Sequence, residues 1–291
     1  MATTKSTAEI ETVANLAMRL SQPHLADYGA VRSRRDFTQR QLMSCLILRA
    51  YLKTTYRGVI EILSGHAGLR ASLGMEDKLP HYTTLQKFSA RSQVMAIAQA
   101  IIARIGRTAL QQKGREQVAA MDSTGVSTTS ASAYFESRRG KLGRKYVKLS
   151  VIVLCGSLIP MALVLDQGPS NDLVQVPQLL QQAQAVGQPL QLLADAGYDA
   201  EWIHASCHEK WGVESLIKPA HPPRADGSRG GRWRSQMSQE HMRKRGYGRR
   251  WGVETFFSAL KRTMGSALSA RQLPAQLTEA AIRVLAYVIR R

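Results

Sequence analysis

The chain has few cysteines, few acidic residues and no long apolar run, and each shortage excludes a class of protein. Only 3 of its 291 residues are cysteine, and Cys45, Cys155 and Cys207 lie in unrelated sequence contexts. A secreted domain held by disulfides would need paired cysteines, so we expect reduced thiols in a cytosolic protein. The longest apolar runs, 151–155 and 158–165, are too short to span a bilayer. The N-terminus has no apolar signal core, so we expect no export.

Acidic residues are scarce relative to basic ones. The chain has 21 Asp and Glu against 40 Lys and Arg, which gives a net charge of +19. Such an excess indicates a polyanionic partner, because neutralised phosphates release counterions and drive association. No amphipathic segment is both Lys-rich and long enough to favour a membrane surface. Nucleic acid is therefore the expected partner.

The apolar pattern changes from helical to strand-like near residue 116. Before that point, residues 8–22, 36–56, 57–65 and 84–113 have the periodicity of helices with short links. Short helices with basic residues fit a helix-turn-helix type DNA-binding module. They fit a helical packing domain with a solvated face equally well.

After residue 116 the predicted order is three strands, then alternating helices and strands. A hairpin-led sheet followed by crossover units predicts an α/β domain with a mixed sheet and helices on its faces. Strands are predicted at 118–122, 146–154, 158–166, 190–195 and 212–217, helices at 171–186, 199–208, 247–264 and 276–289, and a basic loop at 219–246.

Two acidic residues lie at the ends of predicted strands. Asp122 ends one strand and precedes small turn residues, and Asp195 ends another before Ala196-Gly197. Ligands collect at strand ends in such sheets, so we expect the two carboxylates to lie close together. Either acid alone could instead merely cap a turn.

A third acid lies in the pattern Tyr247-x2-Arg250-x3-Glu254-x6-Lys261. On an α-helix with about 100° per residue, these four side chains fall within a polar stripe about 60° wide and about 21 Å long. Apolar residues occupy the adjoining arc, so that face is expected to lie against a core. Alone, Glu254 could be a solvated helix charge. A carboxylate flanked by cations is, however, what metal-dependent phosphodiester chemistry requires.

That chemistry needs an activated water or 3′-hydroxyl and a stabilised leaving oxygen. Two Mg2+ ions about 4 Å apart supply both, and carboxylate oxygens suit Mg2+. No side-chain nucleophile is needed. Ser123 and Thr124 are therefore expected to be turn or phosphate-contact groups.

Two basic runs flank these acids along the chain. A charge run is often only a solvated face, but this position favours contact with the DNA backbone. From these runs we predict DNA contact for Arg144, Lys145, Arg232 and Trp233, although Trp233 could also simply anchor its loop. The runs are Arg138, Arg139, Lys141, Arg144, Lys145 and Lys148, and then Arg224, Arg229, Arg232, Arg234, Arg243, Lys244, Arg245, Arg249 and Arg250.

Three segments resemble bacterial insertion-sequence transposases of the Asp-Asp-Glu (DDE) type, which have a ribonuclease-H-like fold. They are Asp122-Ser123-Thr124, residues 194–199 (Ala-Asp-Ala-Gly-Tyr-Asp) and the Tyr-Arg-Glu-Lys pattern of residues 247–261. The last matches the signature spacing of one large transposase group at all four positions. The resemblance covers essentially the whole chain.

The resemblance implies an enzyme that binds the terminal inverted repeats of its element and catalyses metal-dependent strand cleavage and strand transfer. Its cofactor would be two Mg2+ ions, with Mn2+ as a possible substitute. The implied roles are metal binding for Asp122, Asp195 and Glu254, phosphate contact for Arg250 and Lys261, and a place near the DNA end for Tyr247.

The implied partners are double-stranded DNA, both element ends and target, and further copies of the chain in a homodimer or larger assembly on DNA. No membrane is involved, and the location would be the bacterial cytoplasm, with the nucleoid. Residues 1–115 would form a helical DNA-binding domain and residues 116–291 a ribonuclease-H-like catalytic domain. Two alternatives stay open: a catalytically inactive DNA-binding protein derived from a transposase, and a metal-dependent nuclease without strand transfer.

Overall fold

The chain folds into two compact units. One comprises Met1–Ile101 and Arg262–Arg291, and the other comprises Ile102–Lys261. No helix in the described part of the chain is long and apolar enough to cross a membrane. The computed structural model describes residues 6–30, 32, 34–112, 117–128, 146–222 and 230–291.

The first unit is helical, and the second contains a five-stranded sheet with helices. The α-helices are α1 (Thr7–Ser21), α2 (Gln39–Tyr51), α3 (Tyr56–Gly65), α4 (Ala67–Leu73), α5 (Tyr82–Ser89), α6 (Ser92–Gln111), α7 (Val176–Val186), α8 (Glu201–Ala205), α9 (Gln239–Lys244), α10 (Trp251–Met264) and α11 (Leu273–Arg290). The strands are β1 (Val118–Ser127), β2 (Tyr146–Leu154), β3 (Ile159–Gly168), β4 (Gln191–Ala194) and β5 (Glu214–Ile217).

The sheet is mixed, as predicted. Its strand order is β3-β2-β1-β4-β5. The β1–β2 and β2–β3 pairs are antiparallel, whereas β1–β4 and β4–β5 are parallel. A five-stranded mixed sheet with flanking helices is consistent with a ribonuclease-H-like transposase domain. The helix-turn-helix module of the N-terminal region stays a prediction.

In the helical unit, the last helix of the chain packs with the first ones. Helix α11 contacts α1, α2 and α5, and its apolar residues from Ala280 to Ile289 are buried. A helix buried along so much of its length needs apolar neighbours on several sides, and α2 presents an equally buried surface. The assignment of DNA binding to residues 1–115 and of catalysis to residues 116–291 stays a prediction.

Three predicted helices were wrong in detail. The predicted helix 84–113 is two helices, because the chain turns at Ala90 and Arg91, whose N–H groups bond back to Gln86 and Phe88. The predicted helix 199–208 ends in a π-helical turn, Ser206–Trp211. The predicted helix 247–264 begins as a 3-10 turn, Tyr247–Arg250, and becomes α-helical at Trp251.

Two glycines allow helices to approach the sheet closely. A Cβ on Gly106 of α6 would lie 2.6 Å from the carbonyl oxygen of Pro160 on β3. A Cβ on Gly252, at the start of α10, would lie 2.8 Å from the Cα of Cys155 in the β2–β3 turn. Because no other residue lacks a Cβ, glycine at position 252 lets α10 begin directly against the sheet. That contact sets the position of Glu254, half a turn later.

Candidate active site

Asp122 and Asp195 lie at the same end of adjacent parallel strands. Met121 and Ala194 are paired across β1 and β4, and each precedes one of the two acids. The sequence predicted that β1 ends at Asp122. This was wrong, because β1 continues to Ser127 beside β2. Asp122 instead marks the point where β1 loses β4 as its neighbour, so its carboxylate lies where the sheet opens.

The surroundings of Asp122 are poor in water and rich in negative charge. Its side chain is 21% exposed and accepts a hydrogen bond from the backbone N–H of Ser123 at 2.7 Å. The pKa of Asp122 is raised to about 6, mainly by burial. The charges of Asp195 and Asp172 also raise it, whereas the Ser123 N–H and the Arg250 charge lower it. A bound cation would relieve this repulsion.

Glu254 is joined to Asp122 through an arginine. Arg250 Nη2 donates to Glu254 Oε1 at 2.5 Å, and Arg250 Nη1 lies 3.8 Å from Asp122 Oδ2. The 3-10 turn and the first turn of α10 place these two residues four positions apart on one side. The guanidinium therefore stands between two of the three predicted metal ligands.

The outer two residues of the Tyr-Arg-Glu-Lys pattern are attached to the same strands. Tyr247 Oη donates to the carbonyl oxygen of Ala194 at 2.9 Å, directly before Asp195. Lys261 Nζ donates to Thr124 Oγ1 at 2.6 Å, two residues after Asp122. Burial lowers the pKa of Lys261. All four residues of the pattern thus contact the acids or their neighbours, although the first turn is not α-helical.

The chemistry of this donor set suits a divalent ion of the Mg2+ type. Asp122, Asp195 and Glu254 offer only carboxylate oxygens, which are hard ligands. Within the described residues, no three His, Cys, Asp or Glu side chains are grouped so as to hold a metal ion. Asp122 and Asp195 follow paired positions of adjacent strands, whereas the carboxylate of Glu254 is held by Arg250.

A fourth acid, Asp172, belongs to this region and is not predicted from the sequence. Its Oδ1 accepts a hydrogen bond from Ser123 Oγ and forms an ion pair with Lys148 Nζ at 2.7 Å. Strands β1 and β3 are both antiparallel to β2, so the segment after β3 returns at the end of the sheet that carries Asp122. The sequence signal that could have indicated Asp172 is its position four residues after the end of β3.

The prediction that the first basic run contacts the DNA backbone was wrong for Lys148. Its side chain is 3% exposed, and its ammonium group bonds both Asp172 and the carbonyl oxygen of Ser170 at 2.7 Å. It is therefore an internal residue of the sheet and not part of a solvated or DNA-facing surface. Arg144 and Lys145, from the same run, lie outside the described residues.

In the second basic run, several side chains make internal contacts. Arg234 donates through Nε and Nη2 to Asp199, both at 2.7 Å. The Trp233 ring stacks on His208 at 3.8 Å between centroids, and the Arg232 guanidinium lies 4.7 Å from its centroid. These contacts favour the anchoring role for Trp233 that the sequence left open. Arg245 is likewise held by Glu214.

The five-stranded mixed sheet with flanking helices is consistent with an α/β domain of the ribonuclease-H-like class. Residues 113–289, more than half of the chain, match the family model for the transposase DDE domain, and the chain therefore belongs to this family. It is a DDE-type transposase, an enzyme class that acts on DNA and generally uses divalent metal ions. No curated protein matches the chain significantly.

Proposed function

We propose that this transposase binds the terminal inverted repeats of its element and catalyses strand cleavage followed by strand transfer into target DNA. One observation carries the proposal: Asp122 and Asp195 follow paired positions of adjacent strands, and Arg250 links Asp122 to Glu254. The net charge of +19 supports a DNA substrate. The active form would be a homodimer or a larger assembly on DNA.

In this proposal Asp122, Asp195 and Glu254 hold two Mg2+ ions, for which Mn2+ can substitute. When bound, such ions activate the attacking water or 3′-hydroxyl and stabilise the leaving oxygen. The protein contributes a rigid frame, because Asp122 lies on β1, Asp195 directly follows β4, and Glu254 lies on a helix that begins against the sheet. A site built on strands and a helix holds its ligands more precisely than one built on loops.

The cations of the same helix hold the substrate. Arg250 has five N–H donors, so it can bind a phosphate oxygen once it has left Glu254. Lys261 is fixed by its hydrogen bond to Thr124, two residues after Asp122, so its charge lies on the same strand-end region of the protein. Tyr247 lies beside Asp195 through its hydrogen bond to the carbonyl oxygen of Ala194. Positioning and charge stabilisation dominate phosphoryl transfer, so these groups act mainly in catalysis.

We expect Arg250→Ala and Lys261→Ala to lower strand cleavage by about 10²-fold or more, because each removes a preorganised positive charge from the reacting phosphate. Thermal stability should change little, since the Arg250–Glu254 pair is partly exposed and such a pair contributes only about 0–1 kcal/mol. Melting temperature and single-turnover cleavage measure the two effects. Lys210→Ala, which removes an exposed lysine of the same unit, is the control. Ready unfolding or normal cleavage of either variant would show that these cations are structural.

The function itself is tested with purified protein, Mg2+ and labelled duplexes carrying the element ends, read from the inverted repeats that bracket the gene. Joining of the labelled end to target DNA is the expected result. Cleavage without joining would identify a nuclease. Sequence-specific binding without cleavage would identify a DNA-binding protein derived from a transposase.

A further inference from the structure

The helical unit contains a basic pocket that none of the three acids lines. It has a volume of about 720 Å³ and lies among the α2–α3 turn, the end of α5 and residues 269–272, which precede α11. Three cations line it: Arg49 at the end of α2, Lys53 in the turn, and Arg271 before α11. The pocket therefore combines residues from both ends of the chain.

The positive charge of this pocket is not neutralised within the part of the chain that the structure describes. No carboxylate there forms an ion pair with Arg49, Lys53 or Arg271. The one carboxylate in the wall, Glu279, already accepts hydrogen bonds from the backbone N–H of Ala270 at 2.8 Å. It also forms an ion pair with Arg283 at 2.7 Å. Three like charges around one concavity repel each other unless an anion joins them.

Arg49 is held in place for such a ligand. Its guanidinium carbon lies 4.1 Å from the centroid of the Tyr56 ring, a cation–π contact that leaves the N–H donors free to bind an anion. Tyr56 is itself fixed by a hydrogen bond of 2.8 Å between its Oη and Ser89 Oγ on α5. A side chain fixed in this way loses little entropy when it binds.

Lys53 occupies a backbone position that favours glycine. Its φ angle is 53°, and the N–H groups of Lys53 and Thr54 bond back to the carbonyl oxygens of Ala50 and Arg49. This is the left-handed residue that ends a helix, where a side chain is unfavourable and glycine is usual. A strained residue of this kind points to a function for its side chain, and that side chain faces the pocket.

We propose that this pocket binds the phosphodiester backbone of duplex DNA, with Arg49, Lys53 and Arg271 as the phosphate ligands. The inference rests on the proposed action on DNA and adds a second contact, made by residues other than the acids and the cations of the Tyr-Arg-Glu-Lys pattern. Gln86 of α5 also lines the pocket and offers an amide donor to a phosphate or sugar oxygen. The contact is to the backbone, so it should not depend on base sequence.

Lys53→Gly in the full chain tests the proposal, because it removes the charge and relaxes the strained backbone together. Fluorescence anisotropy with a random-sequence duplex, without metal, measures affinity across about 50 to 200 mM salt. We expect weaker binding and a salt slope shallower by about 1, with a melting temperature equal to or above that of wild type. Arg271→Ala should have the same effect on binding.

Arg35→Gly is a matched control. Arg35 is an exposed cation of the same unit, has a φ angle of 54°, and does not line the pocket. Equal binding losses for Lys53→Gly and Arg35→Gly, or no loss for Lys53→Gly, would overturn the pocket assignment alone. Failure of the wild-type chain to bind any duplex would overturn the proposed function instead.

Discussion

Glu254→Gln is expected to lower metal-dependent strand cleavage by on the order of 10³-fold, with nearly unchanged affinity for DNA. The amide keeps the size of the carboxylate and can still accept the hydrogen bond from Arg250, so α10 should keep its place. The lost negative charge is what a divalent ion requires. Asp122→Asn and Asp195→Asn should behave in the same way. Single-turnover cleavage with Mg2+ and equilibrium binding measure the two quantities.

Glu240→Gln is the matched control for Glu254→Gln. Glu240 also accepts from a cation four positions away, Lys244, at 2.7 Å, and it is 68% exposed. Such an exposed pair contributes little, so this variant should cleave as wild type does. Full activity of Glu254→Gln would show that Glu254 is not a metal ligand. Equal losses in both variants would show that the effect is not specific to the site.

Asp172→Ala is expected to lower the free energy of unfolding of the sheet unit by about 3 kcal/mol. It leaves the Lys148 ammonium, 3% exposed, with only the carbonyl oxygen of Ser170 as a partner. Breaking a buried ion pair from one side is costly because one charge stays buried without compensation. We expect the lower end of the usual range, since Asp172 is itself 40% exposed and water can enter its place. Urea denaturation followed by circular dichroism measures the change.

Two further variants separate this effect from a general loss of packing. Lys148→Met with Asp172→Ala should recover most of the stability, because the buried charge is then gone as well. Asp166→Ala removes an exposed acid that lies opposite Lys148 in the register of β2 and β3. It should change the free energy of unfolding by less than about 0.5 kcal/mol. A double variant as unstable as Asp172→Ala would contradict the ion-pair account.

The sequence predicted the parts of the site that follow from local pattern and topology. Apolar runs located the strands, and the mixed sheet they form is observed. Asp122 and Asp195 follow the paired residues Met121 and Ala194 of the parallel strands β1 and β4, although β1 itself continues past Asp122. The spacing of Glu254 from its cations also predicted a shared side of one helix, where Arg250 now contacts it.

What the sequence did not predict depends on contacts between distant segments. Lys148 looks like one member of a basic run, and only the return of the chain after β3 supplies Asp172 as its partner. Tyr247 donates a hydrogen bond to the carbonyl oxygen of Ala194. It lies in a 3-10 turn and not in the regular α-helix that the spacing predicted. The apolar pattern of helix α11 would fit either unit. In the structure α11 packs against α2 in the helical unit.

Whether Asp122, Asp195 and Glu254 hold metal ions is tested by anomalous diffraction from crystals of the full chain soaked in Mn2+, with a duplex end bound. We expect anomalous density within coordination distance of all three carboxylates, from two ions about 4 Å apart. We also expect that Arg250 has left Glu254 and contacts a phosphate. Manganese bound elsewhere, or an unchanged Arg250–Glu254 contact with no density beside Asp122 and Asp195, would contradict this assignment.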